Sequence, residues 1–278
     1  MRRTGFIDAV DGLGRHDHVC WAFDGPDEFR RAAGRFLTDG LAAGQRVIYL
    51  AEGAGQTDLD HVEGFAQARA EGAAYVQDLG IYDHSLLADP ILQVGAYARA
   101  TEQALADGYD GLRVAADATS LVRTPDQLAA FARYEHLVDV YMTGNPFAAM
   151  CGYNRRELTS AAIAEVACMH PLARTSSAPL RLFASMRPGT RAALAGEIDI
   201  AGHALLQTAL ERAAVAPVDG TVAIDARELS FIDHRGLFHL VDHARSRGAT
   251  AVLHTAGRGP ARVLADLLRL PDLQVTES

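Results

Sequence analysis

The stretch HVCWAFDGPDEFRRAAGRFLTDGLAAGQRVIYLA, residues 18–51, decides the fold class. It opens on VCWAF, a short apolar run that reads as a strand. Pro26 then stands at a helix start, Phe29, Ala33, Phe36, Leu37 and Leu41 fall on one helical face, and Gly44 follows the end. RVIYLAE, next, is the continuous apolar run of a buried strand. Strands that alternate with helices pair in parallel, and the helices cover both faces of the sheet.

The same alternation continues outward. A helix is predicted around Leu59 to Glu71, a strand at AAYVQDL, a long helix from Ile91 to Asp107 and a strand at GLRVAADA. Further on come a helix from Pro125 to Met142, a strand at FAAMCGY and a helix from Arg155. After His170 the pattern lapses: HPLARTSSAPLRL, residues 170–182, gathers proline, serine and threonine without periodicity and reads as a linker. A boundary at about residue 176 divides the chain into 1–176 and 177–278. In the second part LRLFASMRP and TRAALAGEIDI pair as adjacent strands around Pro188-Gly189. A helix from Gly202 to Ala214, the strand GTVAIDARELSFID, a helix from Arg235 to Ser246, the strand TAVLHTA, the helix PARVLADLLRL and the short strand LQVTE follow. The expected architecture is a mostly parallel α/β sandwich followed by a smaller α/β domain of ordinary domain size.

Composition sets the outer limits. A chain of 278 residues holds two cores, and 49% hydrophobic with 22% charged residues is globular. A net charge of -9 opposes binding to nucleic acid or anionic membranes. No apolar run is long enough to cross a bilayer, and MRRTGFIDAVDGLG has no apolar core behind its arginines, so a cytoplasmic protein is expected. Three cysteines, Cys20, Cys151 and Cys168, suit reduced thiols better than disulfides. All 26 basic residues are arginine. The phosphate loop G-x-x-x-x-G-K-[ST] needs a lysine, so VIYLAEGAGQTD is not expected to hydrolyse nucleotides, although simple binding there stays open.

His16, His18 and Cys20 alternate as strand residues on one side would, and Cys151, Cys168 or His170 could complete a metal shell. The paired spacings of zinc sites are missing, however, and a metal is not the favoured reading. A Cys20 nucleophile activated by His18 is weaker again, since an i,i+2 spacing does not by itself bring base and nucleophile together. The preferred role for His18, Cys20, Glu135, Cys151 and His170 is to line a ligand pocket at the C-terminal ends of parallel strands, with Trp21 and Tyr153 flanking it. His61, His84, His203 and His243 are expected at the surface, and the remaining aromatics in the core.

Two family resemblances rest on these stretches. HDHVCWAFDGPDEFRRAAGRFLTDGLAAGQRVIYLAE, with GLRVAADAT, Glu135 in FARYEHLVDVY, AAMCGYN and the closing His170-Pro171, resembles the MEDS sensory domain over roughly His16 to Ala173. That resemblance implies a RecA-like core, a small organic ligand and no established catalysis, in a domain joined to output modules. GEIDIAGHALLQTALERA, then GTVAIDARELSFIDHRGL and PARVLADLLRLPDL, resembles the STAS domain of anti-sigma factor antagonists over Leu180 to Thr276. In that family the turn carries a phosphorylated serine, and here it reads Asp233-His234-Arg235-Gly236, with His234 in the serine's place.

The function these resemblances imply is a signalling regulator. A small organic molecule binds the first domain and changes how the second presents its turn. The partner is a protein of the anti-sigma or serine-kinase class, or another STAS protein. His234 cannot be esterified by a serine kinase; a degenerate turn and a phosphohistidine are the competing readings. Two alternatives of other classes remain: a metal- or thiol-dependent hydrolase or transferase using His18 and Cys20, and a ligand-free oligomerising scaffold. The identity of the ligand and the oligomeric state stay open, a homodimer being the commonest closed assembly.

Overall fold

A computed structural model describes residues 2–56, 58–79, 89–174, 178–257 and 259–277. The first part of the chain builds a seven-stranded sheet from β1 (Gly5–Phe6), β2 (His18–Phe23), β3 (Arg46–Ala51), β4 (Ala74–Asp78), β5 (Leu112–Asp117), β6 (Phe147–Asn154) and β7 (Leu172–Ala173). Their order is β1-β7-β2-β6-β5-β3-β4, and every pairing is parallel. Helices α1 (Pro26–Ala42) and α2 (Phe65–Ala70) cover one face. Helices α3 (Pro90–Ala106), α4 (Pro125–Gly144) and α5 (Ser160–Cys168) cover the other. The second part forms a five-stranded sheet in the order β12-β11-β10-β9-β8: β8 (Leu180–Ala184), β9 (Ala192–Ile198), β10 (Thr221–Ile232), β11 (Thr250–Thr255) and β12 (Leu273–Glu277). Only β8 with β9 is antiparallel there. Helices α6 (His203–Ala213), α7 (His234–Arg245) and α8 (Pro260–Leu268) pack their apolar sides on this sheet. The α/β sandwich with a second, smaller α/β sheet is the architecture that strand and helix periodicity implied.

Local chemistry explains the element ends. Thr124 caps α4 in a reciprocal capping box with Gln127, and Pro125 fills the first helical position, where its missing N–H costs nothing. Thr159 accepts a hydrogen bond from the Ala162 amide, so the helix expected from Arg155 begins only at Ser160. Gly152 is required by packing: a Cβ there would run into the Phe29 ring of α1, which lies against β6.

Three further expectations need correction. The segment read as a linker contributes β7, since Leu172 and Ala173 pair with both β1 and β2 and are wholly buried; Leu180 already belongs to β8. Two buried residues are too few for periodicity to register. The helix expected from Leu59 to Glu71 is confined to Phe65–Ala70. His243 is buried, 8% exposed, on the inner side of α7. The expected boundary near residue 176, and His84, lie outside the described residues. His61 is exposed and His203 half-buried.

The two parts share an interior. Ala132, Cys168 and Met169 of the first part sit in the same apolar core as Leu180, Leu182, Leu206 and Leu210 of the second. Polar links border it: Arg212 pairs with Glu165 at 2.5 Å, and Thr4 donates to Glu228 at 2.7 Å. No helix among the described residues is long and apolar enough to cross a membrane.

Candidate functional site

Strand alternation and one helix face converge under the first sheet. Along β2, Cys20 and Ala22 face α3, α4 and α5, while Val19, Trp21 and Phe23 face α1. His18, two residues before Cys20, therefore points toward α4. Cys151 and Tyr153 of β6 do the same, with Cys20 opposite Cys151 in register. From α4, Glu135 and Asp139, one turn apart, project toward the sheet. His170, just beyond α5, closes the group. His18, Glu135, Asp139, Tyr153 and His170 are wholly buried, and Cys151 is 6% exposed.

Glu135 is the hub. Its Oε2 lies 3.1 Å from His18 Nε2 and 3.6 Å from Cys151 Sγ. Its Oε1 accepts a hydrogen bond from the Tyr153 hydroxyl at 2.5 Å and lies 3.7 Å from His170 Nε2. The two imidazole rings stand 4.0 Å apart, centroid to centroid. One ligand atom from each of His18, Glu135, Cys151 and His170 fits within a span of 4.8 Å.

The outer nitrogens are also held. His18 Nδ1 is 2.9 Å from Asp139 Oδ1, and His170 Nδ1 donates to the Val166 carbonyl at 2.8 Å. A carbonyl only accepts, so Nδ1 of His170 carries the proton and Nε2 presents its lone pair inward. Burial pushes His170 down to about 3, with His18 adding to the effect, and pushes His18 well below the usual imidazole range, with Arg2 adding. Burial, and then the Glu135 carboxylate, push the thiols of Cys20 and Cys151 and the Tyr153 phenol well above their ordinary values.

Asp139 carries the cluster into the second sheet. Its Oδ1 meets His18, its Oδ2 accepts the Ala184 amide of β8 at 2.7 Å, and Arg2 closes a buried ion pair with it. Arg2 also donates to the Ala184 carbonyl at 3.4 Å.

The structure thus brings together His18, Glu135, Cys151, Tyr153 and His170. Cys20 lies on the same face, outside the four-atom group. Trp21 does not belong: the alternation sends it to the opposite face, where the Arg174 guanidinium lies 4.4 Å over its ring. His16 precedes β2 and sits with Nδ1 2.9 Å from the Met142 carbonyl, away from the cluster. The group lies on a covered face of the sheet, with His18 at the start of its strand, rather than at the C-terminal ends of the strands. Sequence reasoning missed Asp139 and Arg2. The signal for Asp139 was present, since Glu135 and Asp139 are acids one turn apart on an otherwise apolar helix face.

An apolar cavity of about 20 Å³ adjoins Cys151, lined in part by Val114, Leu121, Phe131 and Phe147, and the buried Gln93 Oε1 there has no hydrogen-bond partner. A hollow of about 530 Å³ lies on the other face between α1 and His61 and is open and charged, with Asp11, Arg31, Arg35 and Asp39. After β3, Asp78 occupies the Gly53 amide at 2.8 Å, so a carboxylate stands where a phosphate would need a donor.

The turn of the second part is built differently. Asp233 caps α7, accepting the Gly236 amide at 2.9 Å, and both its oxygens lie within 2.9 Å of His203 Nε2. Burial pushes its carboxyl up, but the Gly236 amide and His203 outweigh that and hold it below the ordinary value. Gly236 packs so tightly that a Cβ would meet Ile198 and Ile232 at 2.7 and 2.8 Å. His234 and Arg235 are exposed, and His234 stands edge-on to Phe238.

Residues 17–171 match the model of the MEDS family, the methanogen/methylotroph, DcmR sensory domain. No curated protein matches the chain. The matched span takes in β2 through the His170-Pro171 end of the cluster, and the chain belongs to the MEDS family.

Proposed function

We propose that this chain is a signalling regulator in which the MEDS domain binds a small organic molecule and a STAS-type second domain, of the anti-sigma factor antagonist kind, carries the response. The observation that carries the reading is Asp139. One carboxylate joins His18 in the buried cluster to the Ala184 amide of the second sheet, so a shift at the cluster moves the edge strand of the output domain. Coupling requires two states that a ligand distinguishes, and in the proposed switch the contacts of this shared carboxylate are what differ between them.

The ligand is small and largely apolar. A cavity of about 20 Å³ holds roughly one water-sized guest, which fits the one-carbon compounds that the word methylotroph in the family's name suggests. The output is read from the turn at Asp233–Gly236. Its helix N-terminus, exposed His234 and Arg235, and the exposed apolar side chains of Ile200, Phe231 and Phe238 suit a docking protein of the anti-sigma or serine-kinase class, or another STAS protein. With His234 in place of a serine, control passes to the MEDS domain. The chain is read as a regulator without catalysis: both cysteines of the sheet are buried with thiols far from ionisation, which argues against a thiolate nucleophile.

Hydrogen exchange of the full chain with and without methanol tests the reading, supported by native against denatured mass for a molecule that co-purifies. Protection is expected to change at residues 147–154 and, with it, at 180–184. Exchange that responds to neither methanol nor longer alcohols, in a protein of bare native mass, removes the sensory assignment. A response confined to 147–154 removes the coupling.

A further inference from the structure

The buried cluster has an electrostatic problem that its protein groups leave unsolved. Glu135 is enclosed, and its only ion-pair partners among the described residues are two histidines, His18 and His170. His170 Nε2 presents a lone pair toward that carboxylate and has no hydrogen bond. His18 directs Nδ1 at Asp139 and Nε2 at the same Glu135 carboxylate, 3.1 Å away. A proton shared between His18 and Glu135 would settle that pair and leave His170 unpaired. Arg2 is taken by Asp139.

We infer that His18 Nε2, His170 Nε2, Cys151 Sγ and a Glu135 carboxylate oxygen form a binding site for one divalent zinc-class cation. Tetrahedral zinc holds nitrogen and oxygen at about 2.0–2.2 Å and sulfur at about 2.3 Å, which sets ligand atoms about 3.3–3.8 Å apart. The separations here are 3.1 Å from His18 Nε2 to Glu135 Oε2, 3.6 Å from Cys151 to the same oxygen, 3.7 Å from Cys151 to His18 and 3.7 Å from His170 to the other oxygen, Oε1, and one ligand atom from each of the four lies within 4.8 Å of the rest. The outer shell is of the right kind as well. Each histidine directs Nδ1 at an acceptor, Asp139 or the Val166 carbonyl, and so turns Nε2 inward, while Tyr153 steadies Glu135.

Charge balances in the loaded site. Cys151 gives up its thiol proton to solvent as the metal–sulfur bond forms, and a dication with one thiolate and one carboxylate sums to zero. Asp139 and Arg2 cancel each other beside it. With all four positions filled by protein, the site resembles closed structural zinc sites. It stands independently of the signalling reading and needs no catalytic step.

The test uses the untagged full chain from cells grown in zinc-supplemented or cobalt-supplemented medium. Elemental analysis is expected to give one metal per chain, and the cobalt protein to show a sulfur-to-cobalt charge-transfer band with the intense visible bands of tetrahedral coordination. Cys151→Ala loses the band, whereas Cys20→Ala, on the same sheet face outside the four, keeps it. Asp139→Asn weakens retention against a competing chelator about 10–100-fold. No bound metal from either medium overturns the inference, as does metal that Cys151→Ala holds undiminished. Should Cys151→Ala fail to fold, the parent's cobalt spectrum decides alone: without a sulfur-to-cobalt band the site is refuted.

Discussion

The polar group around Glu135, on a helix, and the one around Asp233, which caps a helix, both use a carboxylate to fix neighbouring donors, in opposite surroundings. Glu135 and Asp139 are wholly buried, and their partners come from β2, β6, the end of α5, β8 and the N-terminus. Asp233 is half-buried, and its partners are its own helix and one histidine of α6. Burial makes each contact in the first group consequential, because a lost partner leaves a charge with no water to replace it. In the second group water stands ready. The first region is thus held from inside the molecule, and the second stands open to solvent.

That contrast is broken most directly at Asp139. Asp139→Ala strips Arg2, His18 and the Ala184 amide of a shared acceptor and leaves a buried guanidinium unpaired. Breaking a buried pair from one side costs about 3–5 kcal/mol, and chemical denaturation of the full chain measures it. A loss below about 1 kcal/mol, the ordinary figure for exposed pairs, means that the two regions do not differ as described.

Acid sharpens the comparison next. His136, on α4 beside the cluster, is 4% exposed, and burial pushes it down to about 4, with Arg2 adding. Its folded value lies below the unfolded value near 6.5, so the unfolded chain binds the proton first. Stability is full above about pH 6.5 and falls as the pH drops toward 4. Between pH 7 and pH 5 this histidine alone costs about 1–2 kcal/mol. Buried His18 and His170 act in the same direction. Denaturation midpoints at the two pH values are expected to lie closer together in His136→Leu than in the parent, and equal gaps would show that His136 is not held neutral.

A middling effect belongs to Asp233→Ala. Loss of an N-cap costs about 1 kcal/mol, seen as a lower Tm at neutral pH. Because the Asp233 carboxyl is held below its ordinary value, its contribution is present at neutral pH and lost as the pH falls through its folded value. The gap between parent and variant therefore closes in acid, the opposite of a change that merely loosens packing.

The two regions were also legible to different degrees. The βαβ pattern of residues 18–51 specifies a parallel sheet because each apolar run has its own period, and α1 and β3 fall where periodicity puts them. The turn at Asp233 is a local motif whose cap and glycine lie within four residues, so the chain alone displays it. His18, Glu135, Cys151 and His170 were each identifiable as chemical residues, but separations such as 117 positions from His18 to Glu135 hide their meeting until the sheet order is known. Strand alternation, applied strictly, already separates Trp21 from Cys20. It could not place His16, because β2 starts only at His18. Arg2 gave no signal: an arginine near a chain start reads as solvated, and its burial depends on an acid that faces both sheets.

The smallest expected change in stability comes with the sharpest functional contrast. His234 is exposed and makes an edge contact with Phe238. His234→Ser is expected to shift stability by less than about 0.5 kcal/mol. Its hydroxyl would stand at the N-terminus of α7, where unpaired amides and the helix dipole favour a phosphate. Gly236 keeps the turn close against Ile198 and Ile232, so the substitution leaves the backbone path unchanged. Under the proposed STAS reading, incubation with ATP and a serine kinase that modifies STAS domains is expected to phosphorylate the variant and leave the parent bare, as read by intact mass. Phosphate there adds nearly two negative charges beside Asp233 and Arg235 and would oppose the proposed docking at that surface. Modification of the parent would instead count against the proposed loss of phosphorylation control at this turn. A variant that stays unmodified would show that the turn no longer meets such a kinase, whatever residue occupies position 234.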